Sequence, residues 1–145
     1  MPDKAGWDRY LSLLSSKGRG ALATLKSDGR PQLSNVDFCY DTESRLVRLS
    51  TTDDRAKVRN LRRDPRVGLY LATPGGASYA VYEGVAELSD VAAKPDDATV
   101  VELIDVFREV QGEHPDWDEY RAAMVADRRL VVRFRIDYAY GYLRS

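Results

Sequence analysis

Residues 21–40 read ALATLKSDGRPQLSNVDFCY, and this stretch decides how the chain folds. Residues 21–25 are apolar and predict a short strand. The dipeptide Asp28-Gly29 is the kind that closes a tight hairpin turn between two strands. Pro31 stands at the start of the next strand, where its missing N–H does little harm. The stretch therefore predicts two antiparallel strands joined by a short turn.

The remaining strands are predicted from the alternation of apolar and polar residues. Residues 45–51, 67–72, 78–88 and 129–136 alternate with a period of two. The predicted order is one helix, three strands, one helix, two strands, two helices and one strand. Short connections and few crossover helices favour an antiparallel sheet curled into a small barrel over a doubly wound fold. We therefore predict a mainly β (α+β) chain forming a single domain over residues 1–145.

Capping residues mark where the flanking helices are predicted to begin. Asp3 is placed to cap a first helix whose apolar face lies across a sheet or a barrel mouth. Asp96 or Asp97 is placed to cap a later helix, and Asp116 with Glu119 fits a capping box for the next one. These last two helices are predicted to form a helical hairpin between strands.

A helix is predicted after the third strand, in residues 50–65, which read STTDDRAKVRNLRRDP. Pro65 is expected to end this helix. Asp53 or Asp54 can accept the free N–H groups of the first turn and so cap this helix. Arg55 and Lys57 stand at the start of the helix, where the helix dipole disfavours cations. Free N–H groups, strand-end hydroxyls and nearby cations are typical of a phosphate site. The alternative, a solvated basic helix that binds nothing, stays open.

Composition argues against several classes of function. The net charge of −1 gives no reason to expect a nucleic acid or an anionic membrane as partner. No apolar run approaches the roughly 20 residues needed to span a bilayer, and the N-terminus lacks a secretion-signal pattern. Cys39 is the only cysteine, so a reducing, cytoplasmic setting is expected. One cysteine and one histidine do not supply a zinc cluster, and no metal site is expected.

The sequence offers no constellation for catalysis by side chains alone. His114 stands beside Pro115 in a predicted loop, and Cys39 lies in a strand with no histidine near it in sequence. No nucleophile elbow, P-loop or metal-binding histidine pair occurs. Redox chemistry with an organic cofactor fits such a chain, because the cofactor supplies the reactive atom and the protein positions it.

The ordered set of motifs resembles the pyridoxamine 5′-phosphate oxidase-like family, the flavin-binding split barrels. The resemblance is carried by GALATL at 20–25, DGRPQLSNV at 28–36, RAKVRNLRRDPR at 55–66 and YAVYEG at 79–84. Two further motifs, GEHPDW at 112–117 and DRR at 127–129, resemble the actinobacterial subgroup that binds the deazaflavin coenzyme F420 in place of FMN. The resemblance covers nearly the whole chain and implies an antiparallel split β-barrel.

The resemblance also implies a homodimer with two cofactor sites at the subunit interface. The strand-to-helix segment would hold the cofactor phosphate, with Arg55 and Lys57 at the phosphate or the ring edge. The full set of cofactor-binding residues that it implies is Gln32, Ser34, Asn35, Ser50, Arg55, Ala56, Lys57, Asn60, Ala77, Ser78, Tyr79 and Arg129. Charge-assisted hydrogen bonds from fixed donors suit a phosphate.

Within this set, four positions carry a more specific expectation. Ser78 and Tyr79 would approach the cofactor from the other subunit, and Arg129 could meet an acidic cofactor tail. Ala77 stands where related sequences often carry a tryptophan, so the ring side of the predicted site lacks a stacking aromatic.

The function implied by the resemblance is a deazaflavin (F420)-dependent reductase. Reduced cofactor would deliver a hydride to a small, electron-poor substrate. No side chain is assigned as the acid, and Tyr79 or solvent could supply a proton. Two alternatives stay open. One is an FMN-dependent pyridoxamine 5′-phosphate oxidase-like enzyme, although residues 140–145 lack the expected substrate-phosphate pattern. The other is a non-catalytic F420 carrier.

Overall fold

The computed structural model describes residues 4–145 of the chain, with side chains from residue 6 onward. The strands in this part are β1 (Lys17–Leu25), β2 (Pro31–Asp41), β3 (Leu46–Thr52), β4 (Arg66–Ala72), β5 (Tyr79–Leu88) and β6 (Arg129–Tyr142). The helices are α1 (Lys4–Trp7), α2 (Ala56–Arg63), α3 (Ala98–Gln111) and α4 (Trp117–Ala126), with a 3₁₀ helix at Asp8–Leu13. The predicted order of strands and helices is confirmed.

The six strands form a closed antiparallel barrel in the order β1-β2-β3-β6-β5-β4, and β4 pairs back onto β1. The hairpin predicted from Asp28 and Gly29 joins β1 to β2, with Ala23 opposite Leu33. Gly29 adopts a φ of 85°, which glycine reaches without a steric cost. The predicted fold class, a mainly β antiparallel barrel with short flanking helices, is therefore confirmed.

The barrel interior is filled by side chains from the inward rows of the strands. The largest fully buried ones are Leu22, Phe38, Leu49, Leu69, Tyr82 and Phe134. Trp7 and Tyr10 pack onto the same core from the N-terminal helices, and the Tyr82 hydroxyl donates to the Tyr10 carbonyl at 2.5 Å. The first helix is thus a short α-turn followed by a 3₁₀ helix, and its predicted cap, Asp3, lies outside the described residues.

Helices α3 and α4 form the predicted helical hairpin and pack on the outside of the barrel. The Asp97 side chain caps α3 through the Val100 N–H at 2.9 Å, and Asp116 caps α4 through the Glu119 N–H at 3.1 Å. Leu103 of α3 belongs to a second apolar core with Val131, an outward-facing residue of β6. Both predicted caps are confirmed, and the hairpin covers one side of the barrel.

The start of α2 differs from the prediction. Arg55 is the N-cap, and in the part of the chain that the structure describes no side chain caps the helix there. The Asp54 carboxylate accepts from the Thr52 hydroxyl at 2.6 Å, while Asp53 contacts Arg62 and Arg128. The prediction that Asp53 or Asp54 caps α2 is wrong, because both carboxylates are directed to other partners.

Candidate functional site

A cleft of about 550 Å³ opens between the outside of the barrel, the start of α2 and the helical hairpin. The barrel strands and α2 contribute mostly polar and charged side chains, whereas the hairpin contributes mostly apolar ones. The lining residues are Ser34, Asn35, Val36, Asp37, Ser50, Thr51, Thr52, Arg55, Lys57, Val106, Phe107, Val110, Gln111, Tyr120, Met124 and Arg129. This is the candidate site.

Three cations face this cleft: Arg55, Lys57 and Arg129. None of them lies within 4.0 Å of a carboxylate of the described residues. Among the described residues that line the cleft, Asp37 is the only carboxylate, and it is bound to Arg19 at 2.7 Å. The cleft therefore carries an excess of positive charge that no lining carboxylate offsets, which favours an anion.

Lys57 is partly removed from water and lies close to another cation. It is half-buried, and burial lowers the pKa of its ammonium group below the usual range, with a smaller lowering from the charge of Arg55. Both effects disfavour the charged form of Lys57. A bound anion would relieve both, since it offsets the repulsion and replaces lost hydration.

The first turn of α2 adds backbone donors to this charge. The Ala56 and Lys57 N–H groups have no acceptor among the described residues, because neither a side chain nor an upstream carbonyl caps them. Free N–H groups at a helix start, with the positive end of the helix dipole, are a general anion-binding arrangement. The local structure thus supports the phosphate interpretation of the segment at residues 50–65.

Two buried polar atoms of lining residues also lack partners within the described part of the chain. They are the Nε of Arg129 and the Oγ of Ser34. The Nη1 of Arg129 donates to the Ser50 hydroxyl at 3.2 Å, so its side chain has a fixed direction. A buried donor without an acceptor costs free energy, and a ligand acceptor would remove that cost. The donor set therefore fits a phosphate-bearing, oxygen-rich cofactor.

The opposite wall was not assigned to the site by sequence reasoning. Helix α3 supplies Val106, Phe107 and Val110, and α4 supplies Tyr120 and Met124. Burial raises the pKa of Tyr120 to about 12, and its hydroxyl donates to the Leu103 carbonyl at 3.0 Å. With Gln111 as its polar member, the wall is neutral and mostly apolar, which suits a flat ring. Its only signal in the sequence was a helical apolar stripe, which usually means core.

Six of the twelve predicted cofactor residues line this cleft: Ser34, Asn35, Ser50, Arg55, Lys57 and Arg129. The other six do not: Gln32, Ala56, Asn60, Ala77, Ser78 and Tyr79. Ala56 nevertheless begins α2 at its edge. Gln32 and Asn60 both bond the buried hydroxyl of Thr24, at 2.9 and 3.1 Å, so their side chains connect β1, β2 and α2.

The remaining three residues, Ala77, Ser78 and Tyr79, stand together at the start of β5, outside the cleft lining. The Ser78 hydroxyl accepts from the Arg144 N–H at 2.8 Å. The Tyr79 ring stacks on Tyr70 with centroids 5.8 Å apart. Within one chain these three residues are therefore apart from the cations.

Comparison with known proteins agrees with this architecture. Residues 7–141 match the family described as pyridoxamine 5′-phosphate oxidase. The chain belongs to that family. Among the described residues, no helix is long and apolar enough to cross a membrane, and no group of three or more His, Cys, Asp or Glu side chains could hold a metal ion.

Solved structures with the same fold differ in what they are described as doing. An F420 reductase is 27% identical, with a TM-score of 0.65 over 97% of this chain and 98% of that one. A conserved hypothetical protein from Mycobacterium tuberculosis is 22% identical, with a TM-score of 0.67 over 98% and 85%. A haem storage protein from Vibrio cholerae is 18% identical, with a TM-score of 0.61 over 84% of each chain. The last two show the fold alone.

Proposed function

We propose that this protein is a coenzyme F420-dependent oxidoreductase that transfers a hydride from the reduced cofactor to a small, electron-poor substrate. The observation that carries the proposal is the cleft in which Arg55, Lys57 and Arg129 converge beside the first N–H groups of α2, with no acceptor or carboxylate partner for them among the described residues. The similarity to an F420 reductase, at 27% identity over nearly both whole chains, supports the choice of cofactor.

The roles of the site residues follow from their chemistry. Arg55, Lys57 and the Ala56 N–H would hold the cofactor phosphate, and Arg129 would meet the acidic tail. Ser34 and Asn35 would lie along the cofactor on β2, and the apolar hairpin wall would exclude water from the ring. F420 supplies the hydride when it is bound, and the chain binds and orients it.

Gln32 and Asn60 are proposed to stabilise the part of the barrel next to the cofactor site. Their bonds to Thr24 fix the position of α2 against β1 and β2. Ser50 remains a proposed cofactor-binding residue, and its hydroxyl orients Arg129 by accepting a hydrogen bond from it. No side chain of the cleft is assigned as an acid, and the proton for the reduced substrate would come from solvent or from Tyr79.

A homodimer is part of the proposal. Tyr70, Tyr140 and Tyr142 are 45%, 43% and 59% exposed on the outside of the barrel. Tyr70 and Tyr140 both lie opposite Val81, so the tyrosines form one surface across β4, β5 and β6. Clustered exposed aromatics are typical of a protein interface. A partner docked on this surface would bring Ala77, Ser78 and Tyr79 toward a cleft of the other subunit.

The proposed setting is the cytoplasm. Cys39, the one cysteine in the sequence, is buried as a free thiol. Burial raises the pKa of this thiol, so its reactive thiolate form is disfavoured. The thiol is therefore a packing residue.

The test of the proposed function is a binding titration of the full chain with F420 and, separately, with FMN, followed by cofactor fluorescence. We expect saturable F420 binding and markedly weaker FMN binding. Reduced F420 is then mixed with a panel of electron-poor acceptors, and its reoxidation is followed by absorbance.

Each alternative gives a different result in this test. Tight FMN binding without F420 binding would contradict the proposal and favour the FMN-dependent oxidase, which the family match also allows. F420 binding without acceptor-dependent reoxidation would favour a carrier.

The dimer is tested by Tyr140→Arg. We expect sedimentation velocity to show a dimer for the natural chain and a monomer for the variant, because a buried unpaired guanidinium is unfavourable. The matched control is Val101→Arg, which adds the same charge at a residue 53% exposed on α3. A monomeric natural chain, or a Tyr140→Arg variant that stays dimeric, would contradict the proposed interface.

A further inference from the structure

Two segments distant in sequence carry the cations of the cleft, and one carboxylate contacts both segments. The Oδ1 of Asp53 lies 2.8 Å from the Nη2 of Arg62 on α2. Its Oδ2 lies 3.2 Å from the Nη2 of Arg128, the residue before β6. We propose that Asp53 is a positioning residue that fixes Arg55 and Lys57 relative to Arg129. This inference rests on the anion site of the proposed function.

These contacts act at the start of α2, whereas the Asn60 bond to Thr24 holds the helix to the barrel further along. No side chain of the described residues caps the helix, and the neighbouring Asp54 is directed to Thr52. The Asp53 backbone N–H donates to the Arg128 carbonyl at 3.0 Å. Asp53 therefore joins the β3–α2 turn to the α4–β6 turn through both its main chain and its side chain.

The backbone conformation of the α4–β6 turn is a second reason to expect that the Asp53 contacts matter. Arg128 has a φ of 54°, in the left-handed region that a side chain disfavours. Such a conformation persists only where surrounding contacts determine it. Asp53 contacts both the carbonyl and the guanidinium of Arg128, and Arg129 follows directly. Loss of the Asp53 carboxylate would keep the main-chain bond but remove the contacts with Arg62 and Arg128, and so loosen the start of α2 relative to Arg129.

The sign of the expected effect separates positioning from simple electrostatics. Asp53 is a negative charge near an anion site, so its removal would by Coulomb's law alone strengthen anion binding. If Asp53 positions the cations, its removal weakens binding, because phosphate recognition requires fixed donors. The two mechanisms predict opposite changes in Kd for Asp53→Asn.

The experiment is an F420 titration of the full-length Asp53→Asn variant. We expect Kd to rise about fivefold or more, and Asp53→Glu to recover part of the loss. The control is Asp64→Asn, which breaks the 2.7 Å ion pair with Arg66 after the end of the same helix. We expect no more than about a twofold change in Kd there, since Asp64 lies outside the cleft lining. Unchanged or tighter binding by Asp53→Asn would overturn the inference.

A ligand-free measurement keeps this test separate from the identity of the cofactor. Backbone amide hydrogen exchange over residues 53–58 and 127–130 is expected to quicken in Asp53→Asn and not in Asp64→Asn. If the natural chain binds FMN and no F420, the proposed function fails, and the same Kd comparison is made with FMN. If the natural chain binds neither cofactor, amide hydrogen exchange is the remaining test of the positioning role. Unchanged exchange in Asp53→Asn would then overturn that role.

Discussion

Lys57→Ala is expected to weaken F420 binding by more than tenfold, about 1.4 kcal/mol or more, without lowering thermal stability. Lys57 is half-buried and forms no ion pair with a carboxylate of the described residues. Its burial and the nearby Arg55 lower the pKa of its ammonium group. The folded chain thus loses no ion pair with this side chain and is relieved of a repulsion. The bound anion, by contrast, loses a cation in a partly desolvated site, where charge pairs are strong. Fluorescence titration and a thermal melt measure the two quantities.

The matched control for this variant is Arg59→Ala. The substitution Arg59→Ala removes the same charge from the same helix. The Arg59 side chain, however, is exposed, lies outside the cleft lining and donates to the Asp54 carbonyl. Its loss is expected to change Kd far less than that of Lys57. Equal changes in both variants would mean that the helix attracts anions only through its overall charge. If both variants bound F420 as tightly as the natural chain, α2 would be interpreted as a solvated basic helix that binds no anion.

The barrel could be predicted from the sequence because most strands carry a period-two signal and the first hairpin carries a turn signal. Leu49 is fully buried, as the alternation of its strand indicated. Val131 is the instructive exception. It falls on the outward row of β6, yet it is fully buried because α3 and α4 cover that side of the barrel. Alternation reports which residues share a face of a strand, and only tertiary packing decides what covers that face.

The site was predictable on its charged side and not on its apolar side. Arg55 and Lys57 were found because cations at a helix start are locally unfavourable and so call for an explanation. Phe107 and Met124 were not, since an apolar helix stripe has the same pattern whether it faces a core or a ligand. The role of Asp53 was also missed. A capping residue and a bridging carboxylate look identical in sequence, and Arg128 is 75 positions away.

Tyr82→Ala is expected to destabilise the folded chain by roughly 3–5 kcal/mol, the range for removing a buried aromatic ring. Tyr82 is fully buried in the barrel, so the deletion leaves a cavity and removes apolar contacts. It also removes the donor to the Tyr10 carbonyl, through which the N-terminal 3₁₀ helix is bonded to the barrel. Equilibrium unfolding in urea measures the effect.

Two further variants divide this loss into its causes. Tyr82→Phe keeps the ring and is expected to cost about 1–3 kcal/mol, because the Tyr10 carbonyl is left without its donor. Val101→Ala, at an exposed position of α3, is expected to stay within about 0.5 kcal/mol. Tyr82 does not line the cleft, so Tyr82→Phe should bind F420 with unchanged Kd while its urea midpoint falls. Lys57→Ala should show the reverse. A Tyr82→Phe variant could instead bind F420 more weakly with an unchanged urea midpoint. That result would mean that the barrel interior and the cleft are coupled. The cations would then be positioned from within the barrel and not by α2 and its contacts alone.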